Sequence, residues 1–170
     1  LGLDVANVTS VDLPGVRAGG GATVPGVSAN LRVEGLETAR IVEVDGLRVA
    51  VTGVSSVPSV LPSGVQVLPP ARGLRAVLTE LEERADIVVL LAWRAPDAAR
   101  MAARSGLVDV VIDAQGHTGR HPPIWVGDAV WVRNPARTSR LGELRLQIED
   151  GRVVEAAARR GLQRAVGIDV

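Results

Sequence analysis

The chain contains no cysteine, phenylalanine, tyrosine or lysine, and only two histidines among 170 residues. Without cysteine, disulfides, thiolate metal ligands and a cysteine nucleophile are all excluded. The three tryptophans are the only aromatic residues, so Val, Leu, Ala and Ile must form most of the core. All 19 basic residues are arginine. Abundant Ala, Gly, Arg and Val without Lys, Phe or Tyr indicates the codon usage of a GC-rich bacterial genome.

The chain also has no net charge and no long run of apolar residues. Nineteen basic residues balance 19 acidic ones, and residues 133–170 carry eight arginines against five acidic residues. Nucleic-acid binding calls for a concentrated basic face, often with stacking aromatics, so we expect no nucleic-acid partner. No apolar run reaches about 18 residues, so we expect no transmembrane segment.

Length and composition indicate a single globular domain. With 46% hydrophobic and 22% charged residues, the chain is long enough to bury a core and too apolar for disorder. It shows no internal repeat. Because it begins at Leu1 rather than at a methionine, we expect a processed chain or a portion of a longer one.

Residues 85–118 carry the clearest pattern in the chain. A buried strand at 87–91 is followed by a loop holding Trp93, a short helix, a second apolar strand at 108–112, and a Gly-His-Thr turn that contains His117. Strand, crossover helix and strand form the βαβ unit of a parallel sheet. Ligands gather at the carboxyl ends of such strands, so we expect Trp93 and His117 at a shared edge.

Local patterns predict the other elements. The Asp45-Gly46 pair between two apolar segments is a hairpin signal, and apolar residues at helical spacing predict a helix over residues 71–84. Residues 13–25 hold three consecutive glycines but neither G-x-G-x-x-G nor G-K-[ST], so a surface loop is favoured over a phosphate cradle. The remaining predictions are strands at 26–31, 40–45, 47–54, 124–126, 129–132 and 141–148, the last three in a C-terminal antiparallel meander, a loop at 55–70, and a terminal helix at 156–165.

Six segments follow one another in an order known from one protein family. They read LGLDVANVTSVDL, PGVSANL, IVEVDGLRVAVTGVSS, ADIVVLLAW, VDVVIDAQGHT and NPARTSRLGELRLQIEDG. Their succession over about residues 1–155 resembles the calcineurin-like metallophosphoesterases, and within them the secreted 5′-nucleotidase branch. The resemblance implies an α/β fold, a partial four-layer α/β/β/α sandwich with mixed sheets. Residues 1–170 would form one such domain, the C-terminal part of the full fold, in the periplasm or outside the cell.

In that family two divalent metal ions activate water and hold a phosphate. The family's D-x-H and G-D ligand motifs would precede Leu1. Its third motif, Gly-Asn-His-Asp/Glu, falls on residues 9–12. The metal-binding Asn is therefore replaced by Ser10, the His that protonates the leaving group is replaced by Val11, and only the acid remains, as Asp12.

The family's histidine motifs fall on residues 85–119 of this chain. The His expected after the apolar strand is Trp93. The last motif, Gly-His-Thr-His, retains its first His as His117, while Gly119 replaces the second. Valine and glycine offer no lone pair, and the indole N–H is only a donor.

Two vestigial ligand positions, Asp12 and His117, do not suffice to hold a pair of hard metal ions. We therefore predict no dinuclear metal centre, no catalytic residues and no cofactor. The resemblance then implies a catalytically inactive domain that acts as a structural or protein-interaction module with a protein partner. The alternative is a metal-dependent hydrolase of nucleotides or other phosphate esters, which would need two divalent metals in a rearranged site.

Other sites remain open from the sequence. A pocket formed by Ser10, Asp12, Trp93, His117 and Arg137 would bind an anion or nucleotide without cleaving it. A zinc-like set of Asp113, His117 and His121 is conceivable, but a turn histidine and an exposed one are favoured because the glycine and prolines nearby disfavour a helix.

The remaining candidate residues favour ordinary structural roles. No G-x-S-x-G nucleophile elbow occurs, since GVSSV at 53–57 lacks the final glycine. Trp125 and Trp131 lie in predicted strands and are expected to fill the core. Arg133, Arg137 and Arg140 would border the family's active site, where a solvated loop is favoured over an anion site.

Overall fold

The computed structural model describes residues 4–13, 25–60, 63–117, 122–135, 142–149 and 151–160. Within these residues the chain forms a mixed α/β fold. Its strands are β1 (Ala6–Asn7), β2 (Gly26–Val27), β3 (Leu31–Arg32), β4 (Ala39–Val44), β5 (Leu47–Ser55), β6 (Gln66–Val67), β7 (Ile87–Trp93), β8 (Val110–His117), β9 (Ile124–Val126), β10 (Ala129–Pro135), β11 (Gly142–Glu149) and β12 (Arg152–Arg160), and its helices are α1 (Pro70–Leu81) and α2 (Pro96–Ala103).

A six-stranded mixed sheet forms the centre, in the order β4-β5-β7-β8-β10-β9. The four inner strands are parallel, and the edge strands β4 and β9 are antiparallel to their neighbours. Three two-stranded sheets surround it, namely β1-β2, β3-β6 and β11-β12. The mixed sheet and the βαβ unit predicted from the sequence are confirmed. Parallel strands place their carboxyl ends along one edge, where a ligand site is expected.

The β4–β5 hairpin shows how local sequence determines local structure. Asp45 and Gly46 have φ values of 51° and 83°. Two consecutive positive φ values define a type I′ turn, whose twist matches that of the flanking strands. Asp tolerates this conformation and Gly adopts it without steric cost. The predicted hairpin is therefore confirmed.

Both helices pack on one face of the central sheet. In α1 the buried residues Leu74, Val77, Leu78 and Leu81 recur at helical spacing, as predicted, and α2 buries four alanines. They cover the sheet positions Ala50, Val54, Val88, Leu90, Ala92 and Val111. Each fully buried Leu or Val contributes roughly 1.5–3 kcal/mol through removal of apolar area from water, so this layer is the main core.

The opposite face of the sheet is apolar as well and is unevenly buried, because Ile87, Val110 and Val130 on that face are buried. Side chains alternate along a strand, so the residues between the core positions point away from the helices. Six of these residues are half-buried and define what we call the open face: Val49, Val51, Val89, Leu91, Ile112 and Val132. Both described helices lie on the other side.

Several predicted elements differ in the structure. Trp93 is the last residue of β7 rather than part of a loop, because it pairs with Ser55. The Gly-His part of the predicted turn belongs to β8, which extends to His117. The predicted strand at 26–31 is divided into β2 and β3, and the predicted loop at 55–70 contains β6.

The C-terminal region also differs. The antiparallel strands form two separate hairpins, β9–β10 and β11–β12, because β10 pairs with β8 on its other side. The predicted helix at 156–165 is wrong where the structure describes it, since β12 runs to Arg160. Its alanines favour a helix, but pairing with β11 across the turn at Gly151 outweighs that propensity.

The tryptophans divide between core and surface. Trp131 is buried at 4% exposure, as predicted, whereas Trp125 is 51% exposed, so its predicted core role is wrong. Trp125 lies in the edge strand β9, which among the described strands pairs only with β10. No helix among the described residues is long and apolar enough to cross a membrane.

Candidate functional site

The carboxyl edge of the central sheet is organised by Asn7. Its side-chain amide donates hydrogen bonds to the carbonyls of Val54 (3.2 Å) and Leu91 (3.1 Å), near the ends of β5 and β7. The amide lies directly over Gly53, where any Cβ would overlap Asn7 Oδ1. Asn7 thus fixes the turn that follows β1, at residues 9–12, beside the ends of two central strands.

Asp12 is engaged within that turn. Its Oδ2 accepts hydrogen bonds from the backbone N–H (2.9 Å) and the hydroxyl (2.7 Å) of Thr9. The Asp12 N–H in turn donates to the Thr9 carbonyl at 3.1 Å. A Ser or Thr whose N–H is bonded by an acid three residues later is the arrangement of a capping box. This local role accounts for Asp12 without a metal ion.

The two positions between them offer little to a ligand. Ser10 is half-buried, and Val11, which the sequence resemblance aligns with a family histidine, is 68% exposed. A hydroxyl is a weak substitute for the amide oxygen of Asn, and a valine side chain has no lone pair. Of these two side chains, only the Ser10 hydroxyl offers a metal ion an oxygen ligand.

Trp93 ends β7 at the centre of this edge. Its ring is half-buried, and the guanidinium carbon of Arg94 lies 4.9 Å from the ring centroid. Arg94 has φ of 52°, an uncommon conformation for a residue other than glycine. The indole N–H can donate a hydrogen bond, but the ring offers no lone pair to a metal ion at the position that the sequence resemblance assigns to a histidine.

Ser55 closes the neighbouring strand through a reciprocal amide pair. Asn30 Oδ1 accepts from the Ser55 N–H, and Asn30 Nδ2 donates to the Ser55 carbonyl, both at 3.0 Å. The side chain of Asn30 thus replaces the backbone partner that a further strand would supply. Both residues are fully buried, and the Ser55 hydroxyl has no hydrogen-bond partner among the residues that the structure describes.

Asp113 on β8 faces the helix side of the sheet. It is buried, and its Oδ2 accepts a hydrogen bond from Trp131 Nε1 at 3.3 Å. Arg133 lies opposite Asp113 on β10, and within the described part of the chain its buried Nε has no hydrogen-bond partner. The carboxylate of Asp113 thus orders a core tryptophan, which weakens the conceivable set with His117 and His121.

The remaining predicted site residues are only partly described. For His117 the structure describes the backbone, which ends β8 opposite Pro135. Thr118, Gly119, His121, Arg137 and Arg140 lie outside the described residues. Across the described ranges, no group of three or more His, Asp or Glu side chains is placed to hold a metal ion.

Sequence reasoning missed three residues that shape this edge. Asn7 and Gly53 act through a contact between distant parts of the chain, which leaves no local signal. The role of Thr9 did have a signal, because Thr9-x-x-Asp12 matches the capping-box pattern. The sequence resemblance aligns the family motif with the same four positions. Residues 9–12 therefore match both a capping box and a metal-binding motif.

Two aspartates with shifted pKa values lie at the opposite, amino edge of the sheet. Hydrogen bonds from the Arg48 guanidinium, and a further one from its backbone, lower the pKa of Asp86 to about 2. Burial raises the pKa of Asp109, against the effect of a hydrogen bond from the Val88 N–H at 2.8 Å. Both lie in a groove of about 470 Å³ that also contacts Trp125 and Arg152.

Neither a protein-family model nor a curated protein matches the chain. Solved structures do match in fold. The sulfate thiohydrolase SoxB of Thermus thermophilus superposes with a TM-score of 0.75 at 20% identity, covering 94% of this chain and 32% of that one. A 5′-nucleotidase precursor, also from Thermus thermophilus, gives 0.71 at 19%, covering 94% and 38%.

A third similar structure belongs to a shorter protein. A hypothetical protein from the same organism gives a TM-score of 0.64 at 16% identity, covering 94% of this chain and 75% of that one. This chain therefore spans about a third of the first two proteins and three quarters of the third. At these identities the likeness shows the fold, which is that of the 5′-nucleotidases and related phosphoesterases.

Proposed function

We propose that this domain of 5′-nucleotidase-like fold is a non-catalytic module that serves a structural or protein-binding role and does not hydrolyse phosphate esters. The proposal rests on the contacts that the side chains make at the carboxyl edge of the central sheet. Asp12 is bonded within its own turn to Thr9, and Trp93 stacks under Arg94 at the end of β7.

The residues of this edge do not fit the pair of metal ions that the fold family implies. Metal affinity requires several ligands in fixed geometry. Ser10, Val11 and Trp93 stand at positions where the family has an amide oxygen and two imidazoles. His117 would remain as an isolated donor, and we derive no catalytic step for this chain.

Metal content and turnover test this proposal together. We expect the purified chain, after incubation with Mn²⁺ and Zn²⁺ and removal of excess metal, to hold far less than one ion per chain. It should not hydrolyse 5′-AMP or p-nitrophenyl phosphate above background. Asp12→Ala and His117→Ala should leave both results unchanged.

The alternative hydrolase makes the opposite prediction. About two metal ions per chain, lost in His117→Ala together with phosphatase activity, would establish a rearranged metal site and refute the proposal. A third outcome concerns the pocket of Ser10, Asp12, Trp93, His117 and Arg137. If millimolar nucleotide raises the melting temperature without turnover, the pocket binds a ligand, and the shift gives its affinity.

We also propose a periplasmic or extracellular location. The resemblance to secreted 5′-nucleotidases supports it, and one similar structure is named a precursor. Fractionation of the source cells with an antibody against this domain tests the location. Recovery with cytoplasmic markers would contradict it.

A further inference from the structure

The groove at the amino edge of the central sheet has exposed apolar side chains on its wall. Trp125 and Val154 are exposed, and both line this groove of about 470 Å³, which we call the amino-edge groove. Ile124, the neighbour of Trp125 in β9, is exposed as well. Ligand sites have volumes of about 300–1,000 Å³, and exposed apolar patches mark interaction sites in soluble proteins. The groove therefore has the size and the apolar surface of a docking site.

Local structure holds the rim of the groove in place. Gly127 and Asp128 form the turn between β9 and β10, in which Gly127 has φ of 63° and Asp128 does not have a positive φ. This pattern is that of a type II′ turn, which takes glycine at its first central position. A Cβ at Gly127 would lie 3.0 Å from the Ala103 carbonyl oxygen, so the turn packs closely on the end of α2. Trp125 and Asp128 are thus positioned beside the groove by the chain itself.

The ionisable side chains of the groove are mostly acidic. Among the residues that the structure describes, the groove is lined by four acids and one base: Glu82, Asp86, Asp109, Asp128 and Arg152. Asp86 is paired with Arg48, whereas the other three acids form no ion pair within the described part of the chain. Burial raises the pKa of Asp109, because its carboxylate loses contact with water. A cation docked in the groove would offset that cost.

An aromatic wall beside carboxylates fits the side chain of arginine. Its planar guanidinium stacks on aromatic rings and donates hydrogen bonds to carboxylates, while its aliphatic stem packs on apolar surface. The chain shows the first of these contacts elsewhere, where the guanidinium carbon of Arg94 lies 4.9 Å from the ring centroid of Trp93. Tryptophan and arginine are also enriched among the residues that anchor protein interfaces. The same acids repel nucleic-acid phosphates and anionic lipid headgroups.

We propose that the amino-edge groove docks a protein partner through an exposed arginine of that partner, whose guanidinium lies against Trp125 and pairs with Asp109 and Asp128. The inference rests on the proposed function, since it names the chemistry that a protein-binding module would recognise. It concerns the edge of the sheet opposite to the candidate metal-ligand positions.

Two matched peptides test the docking of arginine. Acetyl-Val-Arg-Val-amide carries the cation, and the same peptide with citrulline in place of arginine has nearly the same shape without the charge. We expect the arginine peptide to bind the purified chain with a Kd on the order of 1 mM, as befits a short peptide with one anchor. The citrulline peptide should bind about tenfold more weakly. In isotope-labelled protein the indole N–H signal of Trp125, identified by its loss in Trp125→Leu, should shift during the titration.

Substitutions in the groove distinguish this site from the rest of the surface. Asp128→Asn and Trp125→Leu change exposed side chains, so both variants should fold, and each should weaken binding of the arginine peptide about threefold or more. The backbone amide signals of Gly127 and Val154 give the Kd in these variants. Glu34→Gln is the matched control, because it removes one exposed acid outside the groove, and it should leave the Kd unchanged.

Several results would overturn the proposal. Equal binding of the two peptides would show that the positive charge is not recognised. Binding that leaves the signals of the amino-edge groove unshifted, or that survives both groove substitutions, would place the peptide elsewhere. Absence of binding at about ten times the expected Kd would show that the groove does not dock arginine.

Light scattering tests a second copy of this chain as the occupant. A purified chain of twice the monomer mass, which the arginine peptide or Trp125→Leu converts to monomer, would replace the separate partner by the chain's own arginines. The peptide titration depends on neither metal content nor turnover. A chain that holds two metal ions and binds the arginine peptide would refute the proposed function alone, whereas a metal-free chain that does not bind it would refute this inference alone.

Discussion

Thr9 and Asp12 close a turn on themselves, with the Asp12 carboxylate accepting both the backbone N–H and the hydroxyl of Thr9. The sequence resemblance would place this stretch on a metal-binding motif. Here the acid has a structural partner three residues away. The hydrogen bonds to Thr9 thus give Asp12 a structural role in this turn.

We expect Asp12→Ala to lower the free energy of unfolding by about 0.5–2 kcal/mol, the usual cost of losing a capping side chain. Urea denaturation measures the change. Ser10→Ala is the matched control in the same turn and should stay within about 0.5 kcal/mol of the parent. If Asp12→Ala is equally neutral but abolishes metal or nucleotide binding, Asp12 is a ligand residue and the structural explanation is wrong.

Gly53 and Asn7 should behave as a coupled pair. Gly53→Ala places a methyl group against Asn7 Oδ1, so we expect a loss of roughly 1–3 kcal/mol from overpacking. Asn7→Ala alone removes two hydrogen bonds but also clears the space above Gly53.

The double variant is therefore informative. In a double-mutant cycle, Asn7→Ala with Gly53→Ala should lose less stability than the sum of the single variants, by at least about 0.5 kcal/mol. Additive losses would show that the Asn7 side chain does not lie against residue 53 in solution.

Asp86→Asn should change the pH dependence of unfolding. Because Arg48 lowers the folded-state pKa of Asp86 to about 2, its contribution to stability is present above the unfolded value near 3.8 and is lost as pH falls to about 2. The parent should exceed the variant in urea midpoint at pH 6, and the difference should vanish near pH 2. Both side chains are in contact with solvent, so 1 M NaCl should reduce this difference between parent and variant.

Asp109→Asn should act with the opposite sign. Burial raises the folded-state pKa of Asp109, so its ionisation opposes folding, and stability falls as pH rises from about 3.8 through the raised value. Asn keeps an acceptor for the Val88 N–H and does not titrate. We expect the urea midpoint of the variant to rise relative to that of the parent as the pH increases from 4 to 7. A parallel pH dependence in the two proteins would contradict the raised pKa.

What could be predicted from the sequence depended on local signals. The β4–β5 hairpin follows from Asp45 and Gly46, which adopt the two positive φ values that a two-residue turn needs. Helix α1 follows from its spacing of Leu and Val. Strand β12 could not be predicted, because its alanines favour a helix and only pairing with β11 makes it a strand.

The candidate site divides in the same way. The residue types at Ser10, Val11 and Trp93 are read directly from the sequence once the family motif is aligned. The arrangement that Asn7 imposes depends on carbonyls of β5 and β7, far away in the chain, and has no local pattern. The candidate ligand positions could therefore be identified from the sequence, whereas the residues that hold this edge in place could not.

The strand order of the central sheet also governs how fast the chain folds. Its inner pairings join residues far apart in sequence, such as Val51 with Val89 and Val89 with Val110. Such non-local, parallel pairings form slowly, on the order of milliseconds to seconds. During that interval unpaired apolar strands are free to associate with one another. Refolding at low protein concentration should therefore recover more soluble chain than refolding at high concentration, even where the native state is equally stable.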